Sequence, residues 1–146
     1  MRIRKAKVWN KFKIVSVILK ETPTLDPLVL VWNSDFHYIE YKNEIVSFLT
    51  IKRYGPYYEL GTVYTFPKFR NKGFMKKLVK FVLSRKRKIF YLICYEDKKR
   101  FYQVFGFRQV QNSPWIFRYR AKLRNYFLKP FSRKKLIVMK NYFKFL

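Results

Sequence analysis

The sequence predicts an α/β (α+β) fold: a mixed sheet of about six to seven strands, mostly antiparallel with a central parallel strand–helix–strand unit, flanked by about four helices. Three observations predict it. Between Phe36 and Thr65, three runs rich in β-branched and aromatic residues are separated by short turns, as in consecutive antiparallel strands. An amphipathic stretch, Gly73 to Ser84, then leads to Ile89–Cys94, a near-continuous apolar run that reads as a strand buried on both faces and reached by a crossover helix. The 146 residues, 49% of them hydrophobic, suit one domain, 1–146, with a real core.

The elements follow in order. Arg2 to Lys7 reads as a short strand. In Trp9 to Lys20, Phe12, Val15, Ile18 and Leu19 stand at helical spacing. Thr22 to Pro27, with two prolines, is a loop. Phe36 to Tyr41 and Glu44 to Tyr54 are strands joined by a Lys42-Asn43 hairpin turn. Tyr54-Gly55-Pro56-Tyr57 turns the chain into a third strand, Tyr58 to Thr65, which Pro67 ends because it cannot donate to a ladder. From Gly73 to Ser84, Phe74, Leu78, Phe81 and Val82 share one helix face, and Lys76, Lys77 and Lys80 the other. Beyond the Ile89–Cys94 strand, Glu96 and Asp97 open a short helix where its dipole favours acids, and Gly106 stops it. Phe107 to Gln111 begins another strand. A basic, aromatic helix from about Phe117 to Lys129 ends at Pro130, and Leu136–Met139 is a closing apolar strand.

Charge and composition narrow the function classes. The chain has 34 Lys and Arg against 8 Asp and Glu, a net charge of +26, yet 21% aromatic content excludes a disordered polyelectrolyte. Such a surface attracts polyanions: nucleic acid, anionic membrane or a phosphorylated cofactor. A lysine-rich compositional bias accounts for the excess equally well. Cys94 is the only cysteine, so neither a disulfide framework nor a cysteine metal site is expected. His37, the only histidine, argues against a histidine metal cluster or triad. No apolar run approaches the ~18 residues of a membrane span. The basic start, Met1 to Lys7, has some transit-peptide character but reads better as the first strand. The expectation is a soluble cytoplasmic protein (of the plastid stroma if plastid-encoded), monomeric or homodimeric and without metal.

The segment Phe66-Pro67-Lys68-Phe69-Arg70-Asn71-Lys72-Gly73-Phe74-Met75 passes from strand to helix as a tight basic turn. Unpaired N–H groups and the dipole of a helix N-terminus favour an anion there. Arg70 and Lys72 flank the turn with positive charge, and Gly73 permits close approach of a ligand to the backbone.

The element order and two motifs resemble the GCN5-related N-acetyltransferase (GNAT) superfamily. Its cofactor motif is Arg/Gln-x-x-Gly-x-Gly/Ala. Arg70-Asn71-Lys72-Gly73-Phe74-Met75 matches at Arg70 and Gly73, with Met75 in place of the last small residue. Phe101-Tyr102-Gln103-Val104-Phe105-Gly106-Phe107 matches the family's Phe-Tyr-x-x-x-Gly-Phe in full. Leu92 to Phe107, with Glu59-Leu60 leading into Pro67, also looks like small cyanobacterial and plastid-type members. The resemblance implies acetyl-CoA as co-substrate, its pyrophosphate held by the turn amides of Arg70, Asn71, Lys72, Gly73 and Phe74, with Met75 beside them. It also implies pantetheine pairing with the backbone of Val63 and Thr65 like an added strand.

Acetyl transfer to an amine needs a neutral nucleophile, a polarised carbonyl and a proton for the departing thiolate. The resemblance puts Tyr102 forward as the proton donor and Glu59 as a carboxylate acting directly or through water. Ordinary readings stand beside these: an aromatic packed in a short helix, and a carboxylate paired with one of many cations. Glu96 reads as a helix-start residue, His37 as structural and Cys94 as a small core residue. Lys76, Lys77 and Lys80 are a solvated face that also lies within reach of a CoA 3′-phosphate. Arg118, Arg120, Lys122 and Arg124 alternate with Phe117, Tyr119, Tyr126 and Phe127. The expected arrangement there is rings packed inward and cations exposed, while nucleic-acid contact or a membrane-surface helix would show the same pattern.

The function expected is an acetyl-CoA-dependent N-acetyltransferase acting by direct attack in a ternary complex. A surface this basic repels polycations, so an amine with neutral or acidic surroundings is the expected acceptor. The alternative is a catalytically weak module of the same fold that uses its charge on RNA or ribosomes, with non-specific nucleic-acid contact. A basic peripheral membrane protein is a third reading, resting on the C-terminal aromatic and basic stretch.

Overall fold

The computed structural model describes residues 1–7, 11, 12, 14–16, 34–86, 88–129 and 133–142. Its strands are β1 (Arg2–Lys5), β2 (Ser34–Tyr41), β3 (Glu44–Tyr54), β4 (Tyr57–Thr65), β5 (Phe90–Tyr95), β6 (Phe107–Gln109) and β7 (Leu136–Asn141). Its helices are α1 (Phe74–Arg85), α2 (Lys99–Gln103) and α3 (Trp115–Leu128), and residues 11, 12 and 14–16 are helical as well. The strands form one seven-stranded sheet in the order β1-β2-β3-β4-β5-β7-β6, with β4 and β5 parallel. This is the expected mixed sheet with its one parallel crossover. The predicted helix residues Trp9, Ile18 and Leu19 and the Thr22–Pro27 loop lie outside the described residues.

The chain falls into two compact units: Met1–Pro56 with Leu60–Lys86, and Tyr57–Glu59 with Arg87–Leu146. In the first, Lys42 and Asn43 take φ of 49° and 60°, the left-handed pair that a tight hairpin requires and asparagine tolerates. Alternation along the strands then divides the buried side chains. Phe36, Tyr38 and Phe48 pack with Ala6, Ile14 and Val15. The helix α1 lies against β2 and β3 and buries Phe74, Leu78, Val79, Val82 and Leu83. Phe81, expected on that inner face, is half-buried with the Arg85 guanidinium 4.4 Å from its ring centroid. Phe12, expected to pack, is exposed. Gly61 permits a close strand approach: a Cβ there would come within 2.4 Å of Thr50 Oγ1.

In the second unit, β5 pairs with β7 from Tyr91↔Lys140 to Tyr95↔Leu136, and β6 pairs with the other edge of β7. Phe90, Leu92, Phe107, Phe117 and Met139 are fully buried. The side chain of Asn125 joins α3 to the start of β7: its Nδ2 donates to the Leu136 carbonyl at 3.0 Å and its Oδ1 accepts from the Leu136 N–H at 2.7 Å. One expectation for α3 is corrected. Phe117 packs inward, stacked on Tyr91 with centroids 4.8 Å apart, but Tyr119, Tyr126 and Phe127 are exposed. The inner arc of this helix is narrow, and Phe117 and Ala121 fill it. Among the described residues, no helix is long and apolar enough to cross a membrane.

Candidate functional site

After β4 the chain makes a 3₁₀ turn, Pro67–Phe69, then extends at Arg70 before two residues enter the left-handed region, Asn71 at φ 62° and Gly73 at φ 76°. Such a turn aims successive N–H groups to one side. Gly73 is the N-cap of α1, and its carbonyl accepts the N–H of Lys77 at 3.1 Å. The first N–H groups of the helix have no intrahelical partner and carry its positive dipole end. A Cβ built on Gly73 meets nothing within 4 Å, so the backbone there faces open space. Asn71, Lys72, Lys76 and Lys77 are all exposed around it. This combination of donors, room and positive charge fits a phosphate.

Side chains around the turn are held in place. Arg70 Nε donates to the Thr65 carbonyl at 3.1 Å, with the guanidinium 5.9 Å from the Tyr64 ring centroid. Lys68 is ion-paired with Glu44. Ser47 Oγ donates to the Tyr64 carbonyl at 3.1 Å and lies 2.8 Å from Thr65 Oγ1. Met75 Sδ is 4.0 Å from the same Ser47 hydroxyl. Its side chain therefore lies toward β3 and leaves the space over Gly73 open. The one sequence signal for Ser47 is a lone hydroxyl within the apolar run Ile45 to Leu49. The ladder between β4 and β5 consists of Tyr58↔Phe90 and Glu59↔Tyr91. Val63 and Thr65 lie beyond it on β4, with no β5 partner among the described residues.

Tyr102 and Glu59 belong to the second unit. Tyr102 is half-buried on α2, its ring 5.0 Å from Phe101 and 6.1 Å from Phe107. Burial pushes its pKa above the ordinary tyrosine value, and the neighbouring Cys94 adds to the shift. It therefore carries its proton at neutral pH. Gly106, at φ 80°, ends the turn after α2, where Tyr142 N–H donates to its carbonyl at 3.2 Å. Glu59 is 4% exposed, and Arg120 Nη1 donates to its Oε2 at 2.7 Å. The carboxylate is thus both buried and paired. In the sequence Arg120 is one cation among several in α3, and no local pattern links it to a residue 61 positions earlier.

The other reactive side chains have structural environments. Cys94 is buried with Sγ 3.7 Å from Met139 Sδ, and burial, with Asp97 adding, pushes its pKa up to about 12. A thiol held protonated is no nucleophile. Glu96 stands in the first turn of a 3₁₀ segment, as expected of a helix-start residue.

Residues 32–109, more than half of the chain, match the acetyltransferase (GNAT) domain family. The chain belongs to the GNAT acetyltransferase family. Glu59, Val63, Thr65, the turn from Arg70 to Met75, and Tyr102 all fall inside the matched region, whereas Arg120 lies beyond it. No curated protein sequence matches the chain significantly. Among solved structures, the GNAT fold recurs in the ribosomal-protein-S18-alanine N-acetyltransferase from Escherichia coli, with a TM-score of 0.73 at 11% identity, covering 99% of this chain and 97% of that one. A GNAT family acetyltransferase from Elizabethkingia anophelis with acetyl-CoA bound has a TM-score of 0.70 at 15% identity, covering 97% of each chain. An aminoglycoside 6′-N-acetyltransferase complexed with coenzyme A has a TM-score of 0.68 at 14% identity, covering 97% and 96%. At these identities the likeness concerns the fold.

Proposed function

We propose that this GNAT domain, extending over residues 1–146, transfers an acetyl group from acetyl-CoA to a primary amine by direct attack in a ternary complex. The observation that carries the reading is the left-handed turn at Asn71 and Gly73, which leaves open space at the N-terminus of α1 in a family of acetyltransferases. The N–H groups of Asn71, Lys72, Gly73 and Phe74 hold the pyrophosphate, with Met75 beside them and the N–H of Arg70 donated to the Pro67 carbonyl at 3.2 Å, and Lys76 and Lys77 stand close by as exposed cations. The backbone of Val63 and Thr65 pairs with pantetheine as an added strand. Acetyl-CoA supplies the activated thioester carbonyl.

The remaining work falls to the protein. Orientation of the amine, and a backbone N–H that polarises the carbonyl, lower the barrier. A lysine amine has an ordinary pKa of ~10.4 and an α-amine ~7.8, so the attacking group must first lose a proton. Glu59 accepts it, directly or through water, and Tyr102 returns one to the departing thiolate. The net charge of +26 selects against polycationic acceptors and favours a protein N-terminus, lysine or small amine in neutral or acidic surroundings.

The test is release of free CoA thiol from acetyl-CoA at low salt, with an acidic peptide and with spermidine as acceptors. The peptide is expected to turn over at least about tenfold faster, a difference of the size electrostatic steering supplies. Equal turnover contradicts the electrostatic argument, and no turnover with any primary amine contradicts the enzymatic reading.

A further inference from the structure

Among the described residues, the helix α3 presents an exposed face that no other element covers. Trp115, Tyr119 and Tyr126, spaced by four and seven residues, form its outermost ridge; Trp115 is 69% and Tyr126 74% exposed. On one flank the apolar strip continues through Leu123 and Phe127, both exposed. On the other flank stand Arg118, Lys122 and Lys129, exposed as well. The opposite side of the helix is anchored by buried Phe117 and Ala121. From Lys98 to Leu146 the chain has 14 Lys and Arg and no Asp or Glu. An apolar strip of this kind, rimmed by one sign of charge, marks an interaction surface.

We propose that the Trp115–Tyr119–Tyr126 ridge docks on an anionic lipid surface. Tryptophan and tyrosine suit the headgroup level, where one end of the side chain is apolar and the other wet. Leu123 and Phe127 reach toward the acyl chains, and the stems of Arg118, Lys122 and Lys129 carry their charges to the lipid phosphates. Two features favour lipid over other occupants. The apolar strip and the cations lie on separate flanks, as in helices that lie in a membrane interface, and an aliphatic such as Leu123 adds nothing to base stacking. A second copy of this face would set cations against cations with no acid between them. The inference stands apart from the acetyl-transfer reading, because none of these side chains belongs to the turn or to the Glu59 and Tyr102 positions.

Cosedimentation with vesicles at physiological ionic strength tests it. The wild type is expected to bind vesicles of phosphatidylcholine mixed with phosphatidylglycerol and to leave pure phosphatidylcholine unbound. The triple variant Trp115→Ala, Tyr119→Ala, Tyr126→Ala keeps the net charge and is expected to bind at least about tenfold more weakly. A second readout covers a triple variant that fails to fold. Lipids brominated on their acyl chains are expected to quench wild-type tryptophan fluorescence, and Trp115→Phe is expected to remove that quenching. Equal vesicle binding by wild type and the triple variant overturns the proposal, since charge alone would then account for it. So does quenching that survives in Trp115→Phe. Preference of the wild type for polyuridylate over the mixed vesicles, lost in the same triple variant, overturns it in favour of single-stranded nucleic acid.

Discussion

Arg120 donates through Nη1 to Oε2 of Glu59 at 2.7 Å, tying the first well-packed turns of α3 to the one carboxylate that β4 buries. Their side chains are 22% and 5% exposed, so neither charge is free to be solvated elsewhere. Removing Arg120 leaves Glu59 as a buried charge without this ion pair. Arg120→Ala is therefore expected to cost about 3–5 kcal/mol in urea unfolding. Glu59→Gln keeps the shape and a hydrogen-bond acceptor, and should cost less. If Glu59 takes the amine proton, Glu59→Gln should also lower kcat by about 10²-fold or more at unchanged KM for acetyl-CoA. A variant with full kcat would make the pair structural only.

Tyr102 offers a cleaner separation of chemistry from packing. Tyr102→Phe retains the ring contacts with Phe101 and Phe107 and removes only the hydroxyl. The expected result is a kcat lower by about 10²-fold, with acetyl-CoA affinity and melting temperature near those of the wild type. Steady-state kinetics alongside a thermal melt distinguish this from a packing role, under which kcat and the melt would both stay near those of the wild type.

His37 gives stability a pH dependence with a definite sign. Burial, then the Lys86 ammonium, with Lys5 adding and Asp35 opposing, lowers the imidazole pKa from 6.5 to about 4. The unfolded chain binds this proton first, so stability falls as pH drops from about 6.5 towards about 4. The loss amounts to roughly 3 kcal/mol at most. Asp35 acts below that window. Burial opposes its charge, but hydrogen bonds from Lys5 and Lys86 hold its pKa below 3.8, and its contribution disappears only as pH falls through that lower value. Unfolding midpoints measured across the range should show the upper slope flattened in His37→Gln.

Gly61 is required by contact rather than by dihedral. An added Cβ would lie 2.4 Å from Thr50 Oγ1, so Gly61→Ala should destabilise by about 1–3 kcal/mol. Thr50 Oγ1 is buried with no hydrogen-bond partner among the described residues, so Thr50→Ala removes the obstacle and an unsatisfied group together. The double variant should recover most of the loss, which a double-mutant cycle measures directly.

How far the molecule was legible in its sequence follows from the range of each interaction. The Lys42-Asn43 hairpin, the glycine at the start of α1 and the apolar run of β5 from Phe90 are local patterns, and they read correctly, whereas Ile89, expected to begin that strand, precedes it and is exposed. The Phe101–Phe107 motif likewise announced its own turn, closed by Gly106. The partner of Glu59 was not legible, because the pair joins β4 to α3 across 61 positions and any of many cations would have matched it. The direction of Met75 was equally hidden, since it depends on Ser47 of β3, 28 positions earlier. On α3, periodicity located the helix, but how many of its rings could pack depended on the narrow arc available beside β5 and β7.

Isothermal titration of acetyl-CoA into the wild type, Gly73→Ala and Gly73→Asp addresses the central claim most directly. Both substitutions force a side chain onto a backbone at φ 76°, a strain of about 1–2 kcal/mol, so they share any cost to folding. Only the aspartate adds an anion to the open space where the pyrophosphate is placed. The account predicts binding in the micromolar range for the wild type, with Gly73→Asp weaker than Gly73→Ala by at least about 100-fold, or about 2.7 kcal/mol. Equal affinity for the two variants, or no binding by the wild type, would contradict it.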